Sequence, residues 1–298
     1  MEGHGCVENN PPEIEKLVDE FVCDLNCPQK CCRDSQGGAF EEGDYKRLKQ
    51  YEGKRLLDGS IFHLQGCIEK YGDEIKFRED DNGMCMFFKD GKCLIQASFG
   101  REALISDCRE YPRQVFCYQG HVEKMLLPTC PHVTKLFLER DLWLWDYMTR
   151  VVEPDPEGLF EKRRKIILAL KDRDVALPET LERLSLGYGV DIRCSRAKPF
   201  PADMEDIIRH LFACAFFGYS FEYGYDEETF DGLVVQALGI LIRLYGYLSS
   251  IGDISRENIA FHFNRGFFES YEASYEPAVI EIRQESLKKV MNEAGMMA

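Results

Sequence analysis

The chain has 298 residues, of which 45% are hydrophobic and 30% are charged, a composition typical of a soluble globular protein with one large domain or two ordinary ones. Its formal charge of −15 argues against nucleic acid as a partner, because a phosphate backbone is bound by Lys and Arg side chains. The same charge would attract a basic partner over a long range, although solubility alone also explains it.

The apolar segments of the sequence bear on its cellular location and on membrane association. The N-terminus contains no hydrophobic signal region, so we expect a cytoplasmic protein. The longest apolar stretch, residues 233–248, is interrupted by Gln236 and Arg243 and is shorter than a bilayer-spanning helix requires. We therefore expect no membrane association.

The first half of the chain combines short predicted elements with polar loops. Apolar residues at positions i, i+3, i+4 and i+7 predict the first helix, and Gly- and Asp-containing turns separate the elements that follow. In chain order, the predicted elements are a helix at 13–21, a helix at 43–57, strands at 61–68 and 74–77, a short helix at 100–106, a strand at 115–122 and a helix at 132–144.

The second half is predicted to be helical. The polar, proline-rich run at 153–156 indicates a boundary, which gives two predicted domains, 1–150 and 151–298. Helices are predicted at 159–170, 178–186, 207–217, 233–248, 259–271 and 279–291. Because strands and helices do not alternate, the predicted fold class is mainly α: a cysteine-rich N-terminal half with loops and minor β structure, followed by a helical C-terminal half.

Thirteen cysteines are the main functional signal, because clustered thiols in a reducing compartment more often bind metals than form disulfides. Eight have spacings that suit ligation: Cys23, Cys27, Cys31, Cys32, Cys85, Cys93, Cys108 and Cys130. A zinc ion takes four thiolates at roughly 2.3 Å, and a cubane iron–sulfur cluster also takes four. The eight could fill two sites, or one site with the rest buried. The other five are interpreted as buried or incidental thiols: Cys6, Cys67, Cys117, Cys194 and Cys214.

The order of these motifs resembles the flagellin lysine N-methylase family, which shares its cysteine pattern with a broader group of zinc- or iron-chelating domains. The resemblance covers about residues 21–138 and rests on four strings: Phe21-x-Cys23-x3-Cys27-x3-Cys31-Cys32, Cys85-x-Phe87 with Gly91-x-Cys93-x-Ile95, Cys108-Arg109-x-Tyr111-Pro112-Arg113, and Cys130-Pro131. After the paired cysteines the chain has Arg33-Asp34, where the family usually has Gly-Trp.

This resemblance implies N-methylation of lysine side chains on a flagellin-like protein substrate. It also implies a cysteine-ligated iron–sulfur cluster, above all a 4Fe–4S cluster, with zinc as the alternative, and S-adenosylmethionine as the methyl donor. A second hypothesis is a zinc- or iron-chelating structural or redox module without methyltransferase activity. A third is a helical adaptor stabilised by zinc.

Several other residues are candidates for supporting roles. Arg109 and Arg113 flank the Cys108 motif and could neutralise an anionic cluster or hold a carboxylate, or simply pair with acids such as Glu110. His121 and His132 are possible ligands, although a lone histidine is more often a surface or core residue. The aromatic and acidic residues within 216–228 are a candidate substrate wall, for which a packed helix end is the alternative.

Overall fold

A computed structural model describes residues 7–8, 10–23, 32, 38–71, 74–118, 120–190, 199–219 and 227–272. These residues divide into two compact units. The first, here called the helical unit, contains the described residues of 1–22 and 112–276, and the second, here called the cysteine-rich unit, contains those of 23–111. Most of the described secondary structure is helical, so the mainly α prediction is confirmed.

The helical unit is built on a three-stranded sheet with the strand order β1-β7-β6. Strand β1 (Val7–Glu8) pairs in parallel with β7 (His121–Leu126), and β7 pairs antiparallel with β6 (Arg113–Tyr118). Its helices are α1 (Pro12–Asp19), α6 (Pro131–Glu139), α7 (Trp145–Met148), α8 (Leu159–Lys171), α9 (Leu177–Gly187), α10 (Ala202–Tyr219), α11 (Glu227–Ser250) and α12 (Ile259–Glu272).

The cysteine-rich unit contains shorter elements. Two antiparallel hairpins pair β2 (Ile68–Tyr71) with β3 (Glu74–Phe77), and β4 (Phe88–Lys89) with β5 (Lys92–Cys93). The helices are α2 (Asp44–Lys49), α3 (Leu64–Cys67), α4 (Leu94–Phe99) and α5 (Ser106–Glu110), with one 3₁₀ turn at Arg101–Ala103. An aromatic-rich cluster of buried residues, which includes Phe40, Phe62, Phe77 and Phe87, forms a core in the described part of this unit.

Several predicted elements differ from the structure for local reasons. The strand predicted at 115–122 is two strands, because the chain reverses at Gly120 with a φ of +82°. The helix predicted at 43–57 ends at Lys49, and Gly53, with a φ of +74°, donates its N–H to Phe62 instead. Residues 64–67 of the first predicted strand are helical. The helix predicted at 279–291 lies outside the described residues.

The division into units differs from the predicted boundary between residues 150 and 151. Residues 112–150 belong to the helical unit, since Glu123 on β7 is paired with Arg163 on α8 and the backbone N–H of Leu144 donates to His210 on α10. The proline-rich run at 153–156 is part of the same unit. Within it, the carboxylate of Asp155 accepts the N–H groups of Phe160 and Glu161 and so caps α8.

Helix α11 contains the longest apolar segment among the described residues. Residues Phe230–Ser250 are long and apolar enough to cross a membrane by length and composition alone. This differs from the expectation from the sequence, in which the apolar stretch at 233–248 is too short to span a bilayer. More than half of this segment is buried in the folded chain. The predicted stripe that includes Val234, Leu238, Leu241 and Tyr245 is almost fully inaccessible, as in the core helix of a globular unit.

A buried ion pair holds the sheet of the helical unit against α8. The carboxylate of Glu123 is fully buried and accepts two hydrogen bonds from Arg163, at 2.6 and 2.9 Å. Arg150 donates a third at 2.5 Å. The guanidinium group of Arg163 also lies 4.1 Å from the centre of the Phe217 ring, where the aromatic face favours a cation. Three charged groups therefore pair with one another between the sheet and the helices of this unit.

We predict that Glu123→Gln lowers the free energy of unfolding of the helical unit by about 3–5 kcal/mol, because it leaves Arg163 buried without its counter-charge. Urea unfolding followed by tryptophan fluorescence measures this, since both tryptophans, Trp143 and Trp145, lie in this unit. Glu161→Gln is the matched control. Its carboxylate is 45% exposed and pairs at the surface with Arg164, so it should cost less than about 1 kcal/mol. Equal effects of the two variants would contradict the prediction.

His210 gives the same unit a pH dependence. Its Nε2 atom accepts the N–H of Leu144 at 2.9 Å, and burial lowers the pKa of its imidazole from 6.5 to about 4. Between pH 6.5 and 4, His210 is therefore protonated in the unfolded chain and neutral in the folded unit. Stability from this group is fully present above pH 6.5 and is lost as the pH falls toward 4.

We predict that the fluorescence-detected stability of the helical unit falls by up to about 3 kcal/mol between pH 7 and 4 through this group, and that His210→Gln removes this part of the loss. The variant His63→Gln is the control, because the His63 side chain is 67% exposed. It should retain the wild-type pH profile. An unchanged profile in His210→Gln would refute the assignment.

Candidate metal-binding site in the cysteine-rich unit

Eight of the thirteen cysteines fall in the sequence range of the cysteine-rich unit, and two of them, Cys85 and Cys93, flank a tight hairpin turn. Cys93 is paired with Phe88 across the hairpin. The turn residues Asp90 and Gly91 both have positive φ angles, 48° and 77°, as a two-residue hairpin turn requires. The carbonyl of Cys85 accepts the N–H of Phe88 at 2.7 Å. The predicted turn between the two cysteines is therefore confirmed.

The end of the first cysteine segment lies beside this hairpin. The N–H of Cys85 donates to the carbonyl oxygen of Cys32 at 2.6 Å. Cys32 is half-buried, whereas Cys23 is exposed. Cys27 and Cys31 lie outside the described residues. Residues more than fifty positions apart in sequence are thus brought into backbone contact.

The third cysteine segment is helix α5, which carries Cys108. Cys85, Cys93 and Cys108 are all half-buried and pack against the core cluster of this unit. Partial burial of three thiols on one core is the environment that a thiolate site needs, since the ligands must be shielded and still reach the metal.

A fully buried carboxylate joins α5 to the segment that follows the first cysteine cluster. Asp44, at the start of α2, accepts hydrogen bonds from the backbone N–H of Ser106 at 3.0 Å and from its hydroxyl group at 2.8 Å. It also accepts the N–H of Glu41 at 3.0 Å. From the same helix, Arg47 donates to the carbonyl of Leu104 at 2.8 Å. These bonds fix where α5 begins, two residues before Cys108.

A second carboxylate, that of Asp107, holds the chain at Gly38 and Ala39. The N–H of Ala39 donates to Asp107 Oδ2 at 2.9 Å. The pKa of Asp107 is raised to about 7, mainly because its carboxyl group has lost hydration and then because Glu41 lies nearby. Burial, followed by the charges of Glu110 and Asp44, also raises the pKa of Glu41. Sequence reasoning missed Asp44 and Asp107, because neither belongs to a motif or to a periodic pattern.

The two predicted arginines have partners of their own. Arg109 pairs with Glu110 at 3.2 Å, which is the local pairing considered from the sequence, and its carbonyl accepts Arg101. Arg113 belongs to the helical unit. It donates to the carbonyl of Val18 at 2.9 Å and to that of Phe21, which secures the chain after α1. A role of either side chain toward a cofactor stays a prediction.

Cys130 belongs to the helical unit and not to the cysteine-rich unit. It is buried at the N-terminal end of α6, where its carbonyl accepts the N–H of Thr134 at 3.1 Å. His121 and His132 belong to the same unit. His121 lies 3.3 Å from the carbonyl of Pro154, and the His132 ring packs 5.5 Å from that of Phe21.

Three of the five cysteines outside the predicted ligand set can be located. Cys67 and Cys214 are buried thiols, as predicted. Cys117 is different, because it is exposed on β6 and disulfide-bonded. The interpretation of Cys117 as a buried or incidental thiol is therefore wrong. Cys6 and Cys194 lie outside the described residues.

The described residues contain no group of three or more His, Cys, Asp or Glu side chains arranged to hold a metal ion. Cys27 and Cys31, half of the first cluster, are not among those residues. Convergence of the predicted thiolates on one centre thus stays a prediction.

The candidate substrate wall is contradicted in its described part. Phe216 and Phe217 on α10 are almost completely buried, so they are core residues and cannot face a substrate. Tyr219 is half-buried and stacks on Phe267 with ring centres 5.3 Å apart. Residues 220–226 lie outside the described part of the chain. The alternative considered from the sequence, a helix end packed by aromatic residues, is the one observed.

The helical unit has a cleft of about 470 Å³ lined by Trp143, Asp203, Asp206, Arg256, Glu257 and five further residues. Its charges are explained by the fold. Asp203 lies in the first turn of α10, where the helix dipole stabilises an acid, and Asp206 pairs with Arg173 at 2.8 Å. Arg256 donates to the carbonyl of Leu138 at 2.6 Å. We therefore assign no ligand to this cleft.

Comparisons with known proteins give no relative from which a function could be transferred. No family model matches the chain, and no curated protein or solved structure is significantly similar to it. The resemblance to the flagellin lysine N-methylases therefore rests on the cysteine, Arg-x-Tyr-Pro-Arg and Cys-Pro strings alone.

Thiol reactivity in chelator-treated protein should follow the burial of each cysteine. Burial raises the pKa of the Cys67 thiol and raises that of Cys214 well above its usual range, so both should be alkylated slowest. Cys23 should react fastest, and Cys85, Cys93 and Cys108 should react at intermediate rates. Timed alkylation with peptide mass spectrometry measures all six. Labelling of Cys67 as fast as Cys85 would contradict this order.

Proposed function

We propose that this protein is an iron–sulfur protein that N-methylates lysine side chains of a flagellin-like substrate with S-adenosylmethionine as methyl donor. The observation that carries the proposal is the placement of three half-buried cysteines, Cys85, Cys93 and Cys108, on one core, with the carbonyl of Cys32 bonded to the Cys85 backbone. Cys32, Cys85, Cys93 and Cys108 also belong to the cysteine motifs that resemble those of the methylase family.

The donor set fits an inorganic centre. Thiolates are the ligands that iron–sulfur clusters and structural zinc both prefer, and up to four ligands would be drawn from Cys27, Cys31, Cys32, Cys85, Cys93 and Cys108. When bound, a cluster with one iron lacking a cysteine ligand could bind the donor through that iron. The acids around α5, Glu41, Asp44 and Asp107, would oppose the charge of an anionic centre, and Arg109 on the same helix would reduce that repulsion.

The reaction sets requirements for the protein. In methyl transfer, the lysine Nζ lone pair forms the new N–C bond as the S–C bond of the sulfonium breaks, and the product amine carries a positive charge unless a proton is lost. A free lysine has a pKa of about 10.4. The site must therefore lower this pKa by desolvating the ammonium group, or supply a base that takes the proton. The charge of −15 supports the substrate class, since it attracts a lysine-bearing surface.

The alternative function is a zinc- or iron-chelating structural or redox module. The same three thiols favour it equally, because zinc takes the same ligands. The two functions differ in the metal, in donor binding and in activity.

We expect protein purified without oxygen to contain iron and acid-labile sulfide, and each of Cys85→Ser, Cys93→Ser and Cys108→Ser to lose most of the bound iron. Cys67→Ser is the matched control, because Cys67 is a buried thiol of the same unit that lies outside the motifs. Iron, zinc and sulfide are measured per chain. Stoichiometric zinc without sulfide would favour the chelating module. Equal metal in ligand and control variants would refute ligation by these cysteines.

We also expect wild-type protein with intact metal and a reductant to transfer a labelled methyl group to lysines of flagellin from the same source. Cys85→Ser should be inactive and Cys67→Ser active. Tryptic peptide mass spectrometry locates the label. No label with fully loaded protein would refute the methylase function and leave the metal site in place.

A further inference from the structure

The chain after the first cysteine cluster is pressed against the helix that carries Cys108. An ideal Cβ atom built on Gly38 would lie only 2.0 Å from Cβ of Asp107, far closer than real carbon atoms approach. No residue larger than glycine fits there unless the loop and α5 separate. The next residue, Ala39, makes the hydrogen bond to Asp107 Oδ2. The close approach of Gly38 and the hydrogen bond of Ala39 both involve Asp107. Gly38 lies six residues after Cys32, and Asp107 directly precedes Cys108.

Asp107 and Asp44 have separate tasks on α5. Asp44 accepts bonds from Ser106 and Glu41 and so anchors the start of the helix. Asp107 accepts the N–H of Ala39 through Oδ2, a bond that an amide oxygen could equally accept. Asp107 therefore connects the loop to α5 directly before the cysteine of that helix.

We propose that Asp107 is a positioning residue that fixes the distance between the Cys32 segment and Cys108, so that both thiols reach one inorganic centre. This inference rests on the proposed function. Metal sites depend on such supporting contacts, because a ligand that is not held by its neighbours is too loose to bind well. Asp107 acts through the backbone of Ala39 and the close approach at Gly38.

The first test compares metal affinity in four variants of the full chain. Asp107→Ala removes the acceptor, and Gly38→Ala forces the loop away while leaving Asp107 intact. Both should weaken zinc or iron binding about 10- to 100-fold, measured by competition with a chelator of known affinity. Asp107→Asn should restore near wild-type affinity, because its amide oxygen can accept the same hydrogen bond. Asp172→Ala is the control: Asp172 also accepts a backbone N–H, from Asp174, in an exposed turn of the helical unit.

The second test needs no metal. In reduced, chelator-treated protein, a short bis-maleimide, which alkylates one thiol at each end, should link Cys32 to Cys108 in wild type, Asp107→Asn and Asp172→Ala. The yield should fall several-fold in Asp107→Ala and Gly38→Ala, with the linked peptides quantified by mass spectrometry. Circular dichroism checks that the variants are folded. If Asp107→Ala does not fold, Gly38→Ala and Asp107→Asn decide the outcome.

Failure of the inference and failure of the proposed function give different results. If all variants cross-link equally, Asp107 does not position the thiols, whatever metal the wild type holds. If wild type binds neither iron nor zinc, the proposed function fails, and the ligand-positioning role of Asp107 fails with it even where cross-linking depends on Asp107. Weaker metal binding and lower cross-linking in the same two variants would support the inference.

Discussion

The buried carboxylate of Asp44 is the interaction on which the arrangement of the cysteine-rich unit depends. Its bonds to Ser106 and Glu41 join segments more than sixty residues apart, and a neighbouring bond joins Ala39 to Asp107. A fully buried carboxylate is costly unless its acceptor sites are filled, so the bonds to Ser106 and Glu41 offset the cost of burying Asp44. Because α5 is fixed in this way, Cys108 packs on the same core as Cys85 and Cys93. The candidate site is therefore a product of polar contacts as much as of apolar packing.

The helical unit uses the same principle for a different purpose. There Glu123 is satisfied by two arginines, and Arg209, with only 2% of its surface exposed, donates to the carbonyls of Leu170, Asp172 and Val175. These contacts bind helices to each other and to the sheet, so the fold itself accounts for these charges. In the cysteine-rich unit, Asp44 and Asp107 hold α5 in place, and three half-buried thiols lie on the core of the same unit. This difference is the physical reason for placing the proposed chemistry in that unit.

Much of the fold could be predicted where one local signal dominated. The stripe around Leu238 and Leu241 predicted α11, and Asp90-Gly91 predicted the hairpin between Cys85 and Cys93, because period and turn chemistry act over a few residues. The reversal at Gly120 was missed, since a single glycine, here between Gln119 and His121, is compatible with one continuous strand. The unit division could not be predicted either, because it depends on long-range bonds such as Glu123 to Arg163. Asp44 and Asp107 were missed for the same reason: each is a single polar residue whose role exists only in the folded chain.

The central claim is that thiolates from separate segments share one inorganic centre, and X-ray absorption spectroscopy of protein purified without oxygen tests it most directly. The account predicts an iron edge with sulfur as the principal scatterer and a short iron–iron vector, both lost in Cys85→Ser. A zinc edge with four sulfur neighbours would support a shared thiolate site and contradict the iron–sulfur cluster. A metal bound mainly by oxygen or nitrogen, or no bound metal in folded protein, would contradict the account.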